Sequence, residues 1–243
     1  MLTETEYKKL WDEHLKKLAE QKIPHYNEYL ERENLFKKYL KGITSSGKKI
    51  KYILVAEAPP LSKINKKGKL IETYFYDISH LGNTPYFKAV CKAFNIILSN
   101  PLTNTSKTDA LLELANKGVI LLDLFPFALD YSKLRKKLLG NGITKNFWDG
   151  EIYSIKTQIL ALCPYLDPEW DLCLIAPPTV SCHIVGAYDA IDITPCTNGI
   201  HDNPTFKSLL NNRKRGCDHK KVASDTSGNP NAELIKVSFD LPL

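Results

Sequence analysis

The sequence contains no apolar run near the roughly 20 residues that a bilayer span requires, so nothing in it reads as a membrane helix. Residues 1–9 are polar and charged, without the apolar stretch of a secretory signal, and the expected setting is the cytosol. No C-x-x-C pair occurs: Cys91, Cys163, Cys173, Cys182, Cys196 and Cys217 are scattered. In a reducing compartment such a set is expected as free thiols, several of them in the core, with no metal, iron–sulfur site or other cofactor. G-x-G-x-x-G and the Walker A pattern are also missing, which removes the usual glycine-rich dinucleotide and phosphate cradles. There is no internal repeat and no linker long enough to divide the chain.

The 243 residues are 43% hydrophobic and 25% charged, which suits an ordinary globular protein with a sizeable core. A net charge of +6 is compatible with a polyanionic partner and does not identify one. Helical spacing of Leu10, Trp11, Leu15 and Leu18 predicts an amphipathic helix over residues 3–21. A second helix is expected over 26–41, beyond Pro24. Together these form an expected N-terminal helical cap, residues 1–45, on an α/β domain of residues 46–243, as one compact unit and a monomer.

The domain is organised around K-Y-I-L-V-A-E-A-P-P at residues 51–60. Tyr52 to Ala56 is an apolar, β-branched-rich run of strand length. Glu57 stands where it ends, and Pro59 and Pro60 forbid a smooth entry into a helix. A second buried strand is expected over 118–127, with Asp123 near its end, and a third over 171–176. A fourth is expected over 190–194 and a last over 233–239. Between them, helices are expected over 83–98, 109–116, 132–139 (basic), 145–166 (capped by Thr144) and 206–212. Alternating strands and helices predict a three-layer α/β/α architecture on a central, mainly parallel sheet of four to five strands.

In a parallel sheet every strand opens its carboxyl end on one edge, so groups distant in sequence can meet there. Glu57, Asp123 and the loop holding His201 and Asn203 are the candidates. Two basic segments, one with Lys63, Lys66, Lys67 and Lys69 and one with Arg213, Lys214 and Arg215, follow the first and last of these loops. Flanking one cleft, they would suit a phosphate backbone.

A-E-A-P-P at residues 56–60 resembles the first motif of the uracil-DNA glycosylase superfamily, nearest the branch written G-E-A-P-G. G-V-I-L-L-D-L at 118–124 is similar to the superfamily strand G-V-L-L-L-N, whose Asn reads the flipped base, with Asp123 in its place. T-N-G-I-H-D-N-P at 197–204 follows the fourth expected strand, where the superfamily carries its H-P-S loop. His201 stands for the family histidine, with Cys196 as the other alignment. The resemblance spans residues 50–210. Ala56 and Pro60 replace both glycines of the first motif, and the iron–sulfur cysteines of that branch are missing.

The resemblance implies a uracil-DNA glycosylase-like fold and a monofunctional, hydrolytic DNA glycosylase whose partner is DNA. Such an enzyme takes its base out of the stack into a fitted pocket. Glu57 would orient or deprotonate water and stabilise the sugar cation, and His201 would donate to the departing base. Asp123 would read the base; an ionised Asp only accepts hydrogen bonds, which suits the N4 amino group of a cytosine-type base better than the oxygens of uracil. Phe75 and Tyr76 lie where the superfamily stacks a ring on the flipped base, with Phe125 as a pocket wall. Ala58, Pro59 and Pro60 would shape the first loop, and Asn198 and Asn203 are DNA contacts by position. Modified bases occur in phage DNA, so an anti-phage role belongs to this expectation. The alternatives are a glycosylase-fold protein that binds nucleic acid without catalysis, or uracil removal proper.

Overall fold

Three of the apolar runs form strands that lie side by side. The computed structural model describes residues 1–61, 74–81, 85–131, 133–175 and 231–242. Within these, β1 (Ile50–Ala56), β2 (Val119–Asp123) and β3 (Leu166–Ile175) make a parallel sheet in the order β2-β1-β3. The central β1 is a nearly continuous apolar run because both its faces are covered. Its register runs from Tyr52 opposite Val119 to Ala56 opposite Asp123, and from Tyr52 opposite Asp171 to Ala56 opposite Ile175. β3 has an irregularity between its pairings to Ile50 and Tyr52, and Pro168 falls inside it, where a missing N–H costs no ladder bond. The regularly paired part of β3 therefore begins at Asp171, where the sequence pattern placed it.

Strand alternation divides the core in two. Ile53, Val55, Ile120, Leu122, Leu172 and Leu174 face one cluster. Helices α1 (Glu4–Leu10), α2 (Tyr26–Ser45), α5 (Arg135–Gly140), α6 (Ile143–Asp149) and α7 (Ile155–Leu162) contribute to it. Leu54, Ala56, Val119, Leu121, Cys173 and Ile175 face the other, with α3 (Pro85–Ala93), α4 (Asn104–Asn116) and α8 (Ala232–Ser238). Among the described residues the chain is thus an α/β protein with helices on both faces of a three-stranded parallel sheet. The N-terminal helices share the first core, through Tyr7, Leu10, Trp11, Tyr29 and Ile43, with the strand residues.

Gly118 fixes the entry to β2. Its φ of +70° is left-handed, and a Cβ there would be driven into the Lys49 carbonyl oxygen. Its own carbonyl accepts from Lys51 N–H at 2.9 Å and Tyr52 N–H at 3.1 Å, tying the starts of β1 and β2 together.

Four expectations change. The strand expected over 233–239 is instead helix α8, Ala232–Ser238: Asn231 Oδ1 accepts from Glu233 N–H at 2.9 Å and Leu234 N–H at 3.2 Å, capping a helix that buries Ala232, Ile235 and Ser238. The single helix over 145–166 is two, α6 and α7, because Ser154 opens a new capping box with Thr157; Thr144 is buried inside α6 and does not cap it. The first helix is α-helical only to Leu10 and continues as a π-helical turn, Trp11–Leu15. Cys91 and Cys173 are free and buried, but Cys163 is disulfide-bonded. The fourth strand and the helix over 206–212 lie outside the described residues. Among the described residues no helix is long and apolar enough to cross a membrane.

Candidate functional site

β1 and β2 end in step. Beyond their ladder, Leu124 N–H donates to the Ala56 carbonyl at 2.9 Å and Phe125 N–H to the Glu57 carbonyl at 3.0 Å. This holds the two strand ends, and the residues just past them, against each other. Pro59 is buried, Pro60 half-buried, and Ala58 packs on the first core, so the loop after Glu57 is anchored at its start.

Glu57 is 7% exposed and its carboxylate is fully engaged. Arg135, the first residue of α5, donates from Nε to Oε1 at 2.8 Å and to Oε2 at 3.1 Å, and from Nη2 to Oε2 at 2.7 Å. The planar guanidinium fork matches a carboxylate in a way a lysine cannot. The hydrogen bonds to Glu57 raise Arg135 further above its usual value. Removing Arg135 would leave a buried carboxylate unpaired, a change that costs about 3–5 kcal/mol where it has been measured in other buried pairs.

Asp123 has different surroundings. It keeps a small share of solvent access, yet protein encloses it at longer range. That enclosure lifts its carboxyl from 3.8 to about 7; the Arg32 guanidinium opposes the rise and the Glu33 carboxylate adds to it. Arg32 and Glu33 come from α2, and Arg32 Nη2 is held by the Pro126 carbonyl at 3.1 Å. The same charges act on the Tyr74 and Tyr153 hydroxyls, which burial pushes well above their ordinary range. Tyr153 Oη and Gln158 Nε2 each donate to the Asp123 carbonyl at 3.1 Å, fixing the backbone below the carboxyl. Arg32, Glu33, Tyr74, Asp123 and Tyr153 thus form one polar group at the carboxyl end of β2.

The two acids do not share one set of partners. Glu57 continues the alternation of Ile53 and Val55 toward the first core, and Asp123 that of Val119 and Leu121 toward the second. The charges acting on Asp123 are those of Arg32 and Glu33. Tyr131 feels both acids; its hydroxyl donates to the Phe127 carbonyl at 3.0 Å. A pocket lined by both Glu57 and Asp123 therefore has to lie beyond the strand ends, over the edge of the sheet, and not on either face.

The aromatic candidates are packed. Phe75 and Tyr76 are 5% and 3% exposed in the second core. The Tyr76 hydroxyl accepts from Leu121 N–H at 2.6 Å and donates to the Leu121 carbonyl at 2.9 Å. Of residues 74–76 Tyr74 is the least buried, and its ring packs edge-on against Tyr76 at 5.5 Å. Phe125 is buried, with its ring stacked on Tyr131 at 4.9 Å and 15°. Below Tyr74 the fully buried Lys107 donates from Nζ to the Tyr74 carbonyl at 3.3 Å and to the Asp77 carbonyl. Burial pulls its ammonium down from 10.5 to about 8, and Asp77 opposes that shift. Lys107 thus clamps the turn that presents Tyr74.

Lys63, Lys66, Lys67, Lys69, Asn198, His201, Asn203, Arg213, Lys214 and Arg215 lie outside the described residues. Sequence reasoning missed Arg135, Arg32, Glu33 and Tyr153. The one available signal was Arg135 itself, a single arginine among the lysines of a basic helix. Among the described residues no group of three His, Cys, Asp or Glu side chains is arranged to hold a metal ion. No protein-family model, no curated protein and no solved structure matches this chain.

Proposed function

We propose that this protein is a DNA glycosylase with a uracil-DNA glycosylase-like fold, hydrolysing the N-glycosidic bond of a flipped-out, modified cytosine-type base. The observation that carries this reading is Asp123: a half-buried strand-end carboxyl, raised by burial to about 7, with the Tyr74 and Tyr153 hydroxyls in its field. An ionised carboxylate accepts from the cytosine N4 amino group, and a neutral one also donates to N3. The neutral form could serve uracil as well, and the ionised form repels its O4.

In this reading Glu57, held in place by Arg135, supplies negative charge toward the sugar as positive charge develops there. Its engagement by Arg135 also favours a second reading, base binding without catalysis, since a carboxylate with both oxygens occupied is a poor proton acceptor. Base-modified phage DNA is one source of such targets. The test is mass spectrometry of free bases released from DNAs carrying uracil, cytosine or bulky C5-modified cytosines. Release from modified-cytosine DNA, abolished in Glu57→Gln with DNA binding retained, is the expected result. A wild-type protein that binds these DNAs and releases no base would leave the binding-only reading.

A further inference from the structure

Residues 131–148 contain no Asp or Glu but carry Lys133, Arg135, Lys136, Lys137 and Lys145. At the centre of this stretch is α5. Leu134 and Leu138, 4% and 1% exposed, root it in the first core, and the fork of Arg135 on Glu57 fixes it beside the carboxyl edge of the sheet. Lys133, in the turn before α5, and Lys136 and Lys137 on it are exposed. None of the three has an ion-pair partner among the described residues. Some exposed lysines elsewhere do: Lys16 with Asp12 at 3.0 Å, Lys92 with Glu233 at 3.8 Å and Lys9 with Glu13 at 3.9 Å.

We propose that Lys133, Lys136 and Lys137 form a DNA-backbone contact at the start of a helix whose first residue, Arg135, holds Glu57. This rests on the DNA reading above. A helix rooted in the core holds these lysines in fixed relation to the sheet edge, so phosphates bound there would set the register of a strand relative to it. Three unpaired ammonium groups also give up no internal ion pair on meeting phosphate, unlike Lys9 of α1.

The test is fluorescence anisotropy of a labelled DNA duplex across about 50–200 mM salt, using the full chain. The combined variant Lys133→Gln/Lys136→Gln/Lys137→Gln is expected to lower the slope of log affinity against log salt by about 2–3, at about 0.9 for each phosphate no longer neutralised. A Lys→Arg version at the same three positions should keep the slope and controls for folding. Lys8→Gln/Lys9→Gln/Lys17→Gln, which removes equal charge from the N-terminal segment, should leave the slope unchanged. An undiminished slope in the α5 variant, or an equal drop in the N-terminal one, overturns the α5 contact while the DNA reading stands. If the wild-type protein shows no salt-dependent DNA binding, both fall.

Discussion

Asp123 links stability to pH in a direction opposite to that of a salt-bridged acid. Its carboxyl is raised from 3.8 to about 7, so folding favours the protonated form. Below pH 4 both states are protonated and nothing is lost. As pH rises toward 7 the unfolded chain ionises first, and stability falls until the folded group ionises too. Asp123→Asn removes this dependence. Its stability relative to wild type should therefore grow between pH 4 and 7, by an amount on the order of a few kcal/mol, and then level off. Urea titrations at a series of pH values measure it; a constant difference across that range would show that the carboxyl is not held neutral. Glu57 is the contrast in partners: the same residue class, but held by a guanidinium fork. The hydrogen-bonding character of Asp123 can change at physiological pH.

At the scale of elements, β2 has an open edge, since β1 lies on one side and no described strand on the other. Side chains satisfy that edge. Tyr39 Oη donates to the Val119 carbonyl at 2.6 Å, Tyr76 takes both backbone groups of Leu121, and Tyr153 and Gln158 take the Asp123 carbonyl. The edge groups of Val119, Leu121 and Asp123 are taken up by hydroxyls and an amide from α2, the 74–77 turn, Tyr153 just ahead of α7, and α7 itself. Tyr76→Phe should leave a buried N–H and C=O unpaired and cost about 1–3 kcal/mol in chemical denaturation. A cost well below that would mean water replaces the hydroxyl.

This edge explains which parts of the site were legible beforehand. Apolar runs that stop at an acid placed β1, β2, Glu57 and Asp123, because period and termination are local signals. Arg135 lies 78 residues from Glu57, and Tyr76 lies 45 from Leu121; no local pattern encodes either pairing. Ring-rich residues 74–76 looked like a stacking platform, yet two of the three rings are packed and one hydroxyl closes the sheet. α8 was misread because Ile235, Val237 and Phe239 carry strand propensity, while the Asn231 cap and the burial of Ala232, Ile235 and Ser238 decide for helix.

For the whole molecule, two cores on one sheet leave a single edge where both faces can contribute, and the carboxyl ends of β1 and β2 lie on it. The α2 helix brings Arg32 and Glu33 to that edge, so the N-terminal region belongs to the candidate site as well as to the core. Shortening the chain to remove residues 1–45 should therefore unfold the protein, not uncap it; circular dichroism with native-like melting of residues 46–243 alone would show otherwise. The central claim is that Asp123 reads the base at this edge. Its most direct measurement is the ratio of uracil to modified cytosine released from one DNA containing both, wild type against Asp123→Asn. Recognition by Asp123 moves that ratio at least about tenfold toward uracil, the equivalent of 1.4 kcal/mol. An unchanged ratio at comparable total release contradicts it.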